Sequence, residues 1–175
     1  MIEFLSLQKN RLMAKSLSEQ EIVRRESLAK LIDLGIDPYP AELFNVNNTS
    51  KKIKETYKEG EILDVVIAGR IMSKRVMGKA SFAEIQDAKG KIQVYVNRDE
   101  ICHAEDKTLY NIIFKKLLDI GDFIGIKGQV FVTKVGEISV KAKEIKLLCK
   151  SLRPLPLPKT DSEGNTHDSF TDPEK

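Results

Sequence analysis

Apolar and polar residues alternate with a period of two along much of the chain, the pattern of β-strands with one buried face. Five segments are predicted to be strands: 62–72, 80–87, 91–97, 123–133 and 138–148. The basic segment 73–79 is predicted to be the loop between the first two strands. In the third strand, Gln93 and Tyr95 fall on the side opposite Ile92, Val94 and Val96, so they are predicted to face outward.

Other segments repeat their apolar residues with the helical period. Residues 17–35 begin at a capping box of Ser18 and Glu21, whose side chains can each satisfy a backbone N–H, and end at Gly35. Its apolar stripe at 28, 31 and 32 is predicted to pack on the core, with Arg24 and Arg25 on the solvated face. A short helix is predicted over 53–57 and a longer one over 108–118.

Three strands, a helix and two further strands are the element order of an oligonucleotide-binding (OB) fold. We therefore predict a mainly β protein with helices, in which an N-terminal helix precedes a five-stranded OB barrel with the order β1-β2-β3-α-β4-β5. Four segments are predicted: an extension over 1–16, a helical segment over 17–59, the barrel over 60–151 and a linker over 152–175. The extension is a candidate for disorder.

Composition excludes several classes of protein. The 175 residues are 41% hydrophobic and 31% charged, as in soluble globular proteins, and no apolar run reaches the ~18 residues of a membrane span. Two cysteines and two histidines are too few and too scattered for a disulfide framework or a Cys/His metal centre, and they suit a reducing cytoplasm. Nucleotide-binding glycine loops and hydrolase motifs do not occur in the sequence. We predict no catalytic centre and no metal site.

The charge of the chain is unevenly distributed. The formal net charge is +3, but residues 161–175 hold five acidic residues and one basic residue. Residues 1–160 therefore contain 28 basic and 21 acidic residues, a net charge of +7. A basic body is compatible with a polyanionic partner, although many ordinary solvated surfaces have the same balance.

A candidate binding surface lies on the predicted outward side of strands 2 and 3. Phe82 and Gln93 fall on this side, next to Arg75 in the basic segment. Stacking of an aromatic ring on a nucleobase contributes roughly 1–3 kcal/mol of binding free energy. An amide can hydrogen-bond to a base edge, and arginine can reach a base or a phosphate. Periodicity leaves an alternative open, in which the N-terminal helix covers Phe82 and Gln93 is merely exposed.

Several motifs resemble those of one family, in the same order along the chain. They are Gly69–Phe82 (GRIMSKRVMGKASF), Ile85–Asp87, Ile92–Val96, Thr133–Ser139 and Leu152–Pro156. Together they resemble the anticodon-binding domain of class II lysyl-tRNA synthetase over residues 17–175. Aspartyl and asparaginyl relatives share the barrel, but the MGKASF and GEIS sequences resemble the lysyl family.

The resemblance implies roles for individual residues. Phe82 is expected to stack on the central anticodon uridine, and Gln93 and Arg75 are expected to hydrogen-bond to it. The turn containing Lys134 and Glu137 lies between strands 4 and 5, where OB folds often touch oligonucleotides, and is predicted to contact a flanking base. Phosphate attraction is assigned to four further cations: Arg24, Arg25, Lys74 and Lys79.

The resemblance also implies a larger context. The family attaches lysine to tRNA(Lys) with ATP and Mg²⁺ in a C-terminal catalytic domain, and its members are homodimers. The chain ends near where that domain begins, so it is expected to bind the tRNA(Lys) anticodon stem-loop without a cofactor and not to aminoacylate alone. Two alternatives remain: an OB module that binds single strands non-specifically, and an OB domain that binds another protein.

Overall fold

A computed structural model of the chain describes residues 17–156, together with the backbone of 159–160 and 166–167. The predicted extension over 1–16 and most of the predicted linker lie outside the described residues. The helices are α1 (Glu19–Asp33), α2 (Ser50–Thr56), α3 (Arg98–Ile101) and a π-helix (Leu109–Leu117). The strands are β1 (Asp64–Met77), β2 (Ala80–Asp87), β3 (Gly90–Asn97), β4 (Phe123–Val132), β5 (Ile138–Cys149), β6 (Lys159–Thr160) and β7 (Thr166–His167).

Strands β1 to β5 form a closed barrel in the order β1-β2-β3-β5-β4, with β4 pairing back to β1. Neighbouring strands are antiparallel except for β3 and β5, which run parallel. The π-helix lies between β3 and β4 in the chain, as the helix of an OB fold does. The predicted mainly β fold, with an OB barrel preceded by a helix, is confirmed. β6 and β7 pair with each other.

Alternate strand residues fill the barrel interior. Ile92, Val94 and Val96 of β3 are fully buried, as their period of two predicted, while Gln93 and Tyr95 remain partly exposed on the outer side. Each such buried aliphatic side chain contributes roughly 1.5–3 kcal/mol through the apolar surface it removes from water. Because this burial determines which alternate residues face the interior, the residues between them must face outward.

The segment 73–79, predicted to be a loop, is mostly strand. β1 continues to Met77, and only Gly78 and Lys79 form the turn to β2. The register of β1 shifts between Ile71 and Ser73, and the residues beyond pair with β2 alone. This part of β1 extends beyond its pairing with β4. It lacks the alternation of apolar and polar residues from which the strands were predicted. Gly78 has φ +63°, which suits a tight hairpin turn.

Helix α1 has the predicted ends but a different buried face. The capping box is present, with Ser18 N donating to Glu21 Oε2 at 2.9 Å, and the helix ends before Gly35, at φ +74°. However, Arg24 is only 8% exposed and its guanidinium donates to the carbonyls of Ile120 (2.7 Å) and Ser151 (3.2 Å). The predicted solvated position of Arg24 is therefore wrong, and Ile32 is exposed instead.

Two lysines satisfy the carbonyl groups at the end of the π-helix. Lys74 Nζ donates to the carbonyls of Phe114 (2.9 Å) and Leu118 (2.5 Å). Lys150 Nζ donates to Leu117 O at 2.8 Å and pairs with the buried carboxylate of Asp122 at 2.8 Å. The last carbonyls of a helix have no partner within it, so these ammonium groups fill a structural requirement. Burial lowers the pKa of Lys74, although Asp119 and Asp122 act in the opposite direction.

Candidate nucleic-acid interface

Three aromatic side chains form a row across the outer surface of the barrel. Phe82 of β2, Tyr95 of β3 and Phe131 of β4 are each partly exposed. The ring centroids of Phe82 and Tyr95 lie 5.2 Å apart at 55°, and those of Tyr95 and Phe131 lie 6.1 Å apart at 70°. These three residues are called the aromatic row below. Their tilted contacts are the favourable geometries for neighbouring rings.

Strand register places Arg75 at one end of the aromatic row. Arg75 lies opposite Phe82 in the β1–β2 pairing, and Phe82 lies opposite Tyr95 in the β2–β3 pairing. The guanidinium carbon of Arg75 is 5.9 Å from the centroid of the Phe82 ring, within the range of a cation–π contact. The Arg75 side chain is exposed, so its N–H groups can reach a ligand stacked on Phe82.

Gln93 lies beside the aromatic row and is held by β5. Ser139, its partner in the parallel β3–β5 pairing, donates from Oγ to Gln93 Oε1 at 3.0 Å. Ser139 is fully buried, whereas Gln93 is partly exposed. Among the described residues Gln93 Nε2 has no hydrogen-bond partner, so it is a donor available to a ligand. The structure thus brings together the three predicted base-contacting residues, Arg75, Phe82 and Gln93.

The turn between β4 and β5 is well defined and exposed. Thr133 and Glu137 close it, with Thr133 N donating to Glu137 O at 2.9 Å and Glu137 N donating to Thr133 Oγ1 at 3.0 Å. Lys134 is exposed at its tip, and Gly136 adopts φ +85°. The Glu137 carboxylate lies 3.5 Å from Lys54 Nζ of α2. Because both side chains of that pair are almost half exposed, a ligand can exchange with either.

The cations assigned to phosphate attraction do not form one surface. Lys79 is exposed in the β1–β2 turn, close in sequence to the aromatic row. Arg25 is on α1 and donates to the carbonyls of Glu21 (3.3 Å) and Leu152 (3.5 Å). Arg24 and Lys74 instead donate to the internal carbonyls described above, and neither is exposed as Lys79 is.

The alternative that α1 covers Phe82 has no support in the structure. α1 packs against the π-helix, and the Phe82 ring makes its aromatic and cation–π contacts with Tyr95 and Arg75. Phe131 was missed in the sequence, although it shares the outward parity of Lys127 and Gln129 along β4. The same alternation that identified Phe82 therefore contained the signal for Phe131.

The chemistry of this surface is that of binding. It offers aromatic rings, amide and guanidinium donors, and lysines, which together suit an unpaired base and its phosphate. Within residues 17–156 no group of three or more His, Cys, Asp or Glu side chains is placed to hold a metal ion. No helix among the described residues is long and apolar enough to cross a membrane.

Comparison with known proteins agrees with this geometry. Residues 65–148, which span the barrel from β1 to β5, match the family described as tRNA anticodon, OB-fold nucleic acid binding domain. The barrel of this chain belongs to that family. Its matched segment contains the whole aromatic row, Arg75 and Gln93.

Curated relatives identify the branch of this anticodon-binding family. The chain is 63% identical over 161 residues to a lysine–tRNA ligase of Christiangramia forsetii, covering 92% of this chain and 28% of the relative. It is 56% identical to that of Porphyromonas gingivalis (91% of this chain, 28% of the relative) and 49% identical to that of Staphylococcus epidermidis (82% and 30%). The predicted resemblance to the lysyl-tRNA synthetase anticodon-binding domain is confirmed. The chain spans less than a third of the length of these relatives.

Proposed function

We propose that this chain binds the anticodon loop of tRNA(Lys) and reads its central uridine with Phe82, Gln93 and Arg75. The observation that carries the proposal is that strand register brings these three side chains together on one outer face of the barrel. The face belongs to a segment that matches the anticodon-binding family. Similarity to lysine–tRNA ligases supports tRNA(Lys) as the partner.

Each of the three residues supplies a different part of the recognition. The Phe82 ring provides a stacking surface, which is worth about 1–3 kcal/mol per base and holds the base within reach of the donors that distinguish it. Gln93 Nε2 and the Arg75 guanidinium donate hydrogen bonds, and the carbonyl oxygens of uridine accept them. Cytidine presents an amino group where uridine has O4, so a site built from donors disfavours it.

The accessory contacts with RNA are assigned to charged side chains outside the three base-reading residues. Lys79 and Lys134 attract the phosphates on either side of the aromatic row, and Arg25 adds to the positive potential at α1. Glu137 contacts a flanking base once it exchanges its partner Lys54, which is 3.5 Å away. Phosphate contacts of this kind position an RNA without reading its sequence.

The relatives support a larger activity for the whole protein. We propose that the whole protein attaches lysine to tRNA(Lys) using ATP and Mg²⁺, as a homodimer in the cytoplasm, with this chain selecting the tRNA. In this proposal residues 152–175 lead from the barrel to a catalytic domain, and the division into 1–16, 17–59, 60–151 and 152–175 stays a prediction. The name of the relatives, lysine–tRNA ligase, supports the activity.

The proposal is tested by equilibrium binding of the chain to a tRNA anticodon stem-loop carrying UUU. A second stem-loop, with its central uridine replaced by cytidine, provides the comparison at two salt concentrations. The expected result is weaker binding of the cytidine loop, and Phe82→Ala and Gln93→Ala each abolish that difference. Phe123→Ala is the matched control, because Phe123 is an exposed aromatic residue of β4 packed on Arg70, outside the aromatic row.

Three outcomes contradict the proposal in different ways. Equal, salt-sensitive binding of both loops indicates an OB module that follows charge and chain length only. The absence of salt-sensitive RNA binding favours instead an OB domain that binds another protein. A loss of discrimination in Phe123→Ala as large as in Phe82→Ala would place the site elsewhere on the barrel.

A further inference from the structure

We propose that Lys74 and Tyr110 are positioning residues, which anchor the β1–β2 hairpin to the π-helix and thereby hold Arg75 on the base-reading face. This inference rests on the proposed function, since it takes Arg75 to contact the central base. It gives Lys74 a role in specificity that acts through contacts inside the protein rather than through a phosphate.

Arg75 lies on an edge of the sheet. Among the described strands, β4 pairs with β1 from Asp64 to Arg70, and beyond Ile71 only β2 pairs with it. β2 itself is paired with β3 over its whole length, Ala80–Asp87, so it provides a fixed frame. A strand that is paired on one side opens more easily than one that is paired on both. The position of Arg75 therefore depends on what the inner face of the hairpin contacts.

A one-residue shift in the pairing determines which of two adjacent cations faces the ligand. In the observed register Lys74 lies opposite the buried Ala83, and Arg75 lies opposite a residue of the outer face, Phe82. If the register that precedes the shift continued, Arg75 would lie opposite the buried Ser81 and Lys74 would face outward. Residues that lie opposite each other in an antiparallel pair share a face of the sheet. Contacts that hold Lys74 inside therefore hold Arg75 outside.

The π-helix supplies the contacts that hold Lys74 inside. The last backbone hydrogen bond of this helix runs from Leu118 N to Ile113 O (2.9 Å), so the carbonyls after Ile113 need other partners. Lys74 Nζ donates to three of them, those of Phe114 (2.9 Å), Lys115 (3.3 Å) and Leu118 (2.5 Å). Because an ammonium group has three N–H donors, these carbonyls saturate it and leave no donor for a phosphate.

Tyr110 holds the tip of the same hairpin. Its side chain is fully buried, and its hydroxyl donates to Gly78 O at 3.2 Å. The hydroxyl oxygens of Ser81 and Tyr110 lie 2.8 Å apart, so Ser81 donates when Tyr110 donates to the carbonyl. Lys74 and Tyr110 thus connect both ends of the segment that carries Arg75 to one helix.

These anchors bear on specificity because Arg75 is a long and flexible side chain. A guanidinium whose backbone is held in place before binding loses less entropy when it donates to a base edge. A guanidinium on a mobile hairpin reaches phosphates as readily as bases, and phosphate contacts carry no sequence information. Loss of the anchors should therefore reduce the preference for uridine more than it reduces binding in general.

The test is a double-mutant cycle between the anchor and the base-reading arginine. Lys74→Met and Arg75→Met are measured singly and together, and Tyr110→Phe removes the second anchor by one hydroxyl. Lys150→Met is the matched control, because Lys150 donates to the same end of the π-helix from β5 and not from the hairpin. Ile113→Val is a mild control that destabilises the π-helix and leaves both anchors intact. Binding to the UUU stem-loop and to its central-cytidine counterpart is measured on variants whose folding is verified by circular dichroism.

Arg75→Met should weaken binding of the uridine loop by about tenfold, the lower end of the range for a hydrogen bond from a charged group. Lys74→Met should reduce the preference for uridine about three- to tenfold, and Tyr110→Phe about two- to threefold, because each acts on Arg75 indirectly. In the Arg75→Met background, Lys74→Met should change either affinity by less than about twofold. Lys150→Met and Ile113→Val should keep the wild-type preference. Equal effects of Lys74→Met in both backgrounds, or an equal loss of preference in Lys150→Met, would overturn the inference.

Backbone ¹⁵N relaxation of the free chain tests the anchor without RNA. Lys74→Met and Tyr110→Phe should each lower the heteronuclear NOE of residues 73–79 and leave that of β3 unchanged, whereas Ile113→Val should lower neither. Unchanged mobility of residues 73–79 in both anchor variants overturns the inference. Failure of the proposed function is distinguishable, because Arg75→Met then leaves the preference for uridine unchanged while the relaxation result still reports on the anchor.

Discussion

Burial, not distance, is predicted to determine how much each lysine–carboxylate pair stabilises this barrel. Lys150 and Asp122 have no exposed side-chain surface, and the N–O distance is 2.8 Å. Lys127 and Glu144 have nearly the same distance, 2.9 Å, but their side chains are 51% and 53% exposed. Substituting methionine for each lysine removes the charge while keeping much of the length, so the two variants form a matched pair.

The structure gives the magnitudes. In Lys150→Met the Asp122 carboxylate keeps its hydrogen bonds from Asp119 N (2.7 Å) and Ser151 N (2.8 Å) but loses the buried ammonium group that pairs with it at 2.8 Å. Breaking a buried pair in this way costs about 3–5 kcal/mol of unfolding free energy. Lys127→Met breaks an exposed pair and should cost about 1 kcal/mol or less.

Urea unfolding of the chain at pH 7, followed by circular dichroism, measures the difference. With a slope of about 1.5 kcal/mol/M, the midpoint of Lys150→Met should fall by about 2–3 M and that of Lys127→Met by less than about 0.7 M. Adding Asp122→Asn to Lys150→Met should recover part of the loss, because the unpaired buried charge is removed. Equal shifts for the two lysine variants would refute the argument from burial.

Three further predictions concern the interface and its support. Ser139→Ala should reduce the preference for a central uridine about two- to tenfold in the stem-loop assay, because the hydrogen bond that holds Gln93 is lost. Lys79→Met should reduce the slope of log K against log salt by about 0.7–0.9, whereas Lys74→Met should leave that slope unchanged and lower the urea midpoint. Burial raises the pKa of Asp87, but hydrogen bonds from its neighbours outweigh this and lower it from 3.8, so its stabilisation is present above that value and lost as pH falls through the lower folded value. Thermal unfolding between pH 6 and pH 2 should therefore show a smaller loss for Asp87→Asn than for the wild type.

The alternation along β2 and β3 predicted both the barrel and the face that bears the candidate site. Apolar residues such as Val94 and Ile85 must face the barrel interior. Because side chains alternate along a strand, the sequence alone then predicts that Phe82 and Gln93 face outward. The inward set, the capping box and the ends of β2 could be predicted because each depends on neighbours close in sequence. The pairing of Gln93 with Ser139 could not be predicted, because a parallel contact between β3 and β5 depends on how the barrel closes.

The errors have a different cause, which is a partner for a polar group that apolar periodicity does not indicate. The strand character of 73–77 comes from pairing with β2 rather than from apolar periodicity. Asp87 accepts hydrogen bonds from Ser50 N (2.6 Å) and Ser50 Oγ (2.7 Å), which join α2 to the β2–β3 turn across 37 residues. A sequence pattern that counts only apolar and polar positions does not contain such contacts.

The same reasoning indicates that the net charge overstates the number of cations available to a polyanionic partner. Arg24, Lys74 and Lys150 donate to backbone carbonyls left without partners at the end of the π-helix and in the segments that follow β5 and precede β4. An unpaired buried carbonyl costs about 1–3 kcal/mol, so a long cation that reaches it is fixed by the fold and withdrawn from the surface. The cations that remain near the aromatic row include Arg75, Lys79 and Lys134. In the proposed function, attraction to the anticodon is therefore local, and the position of each cation relative to the barrel matters more than the total charge.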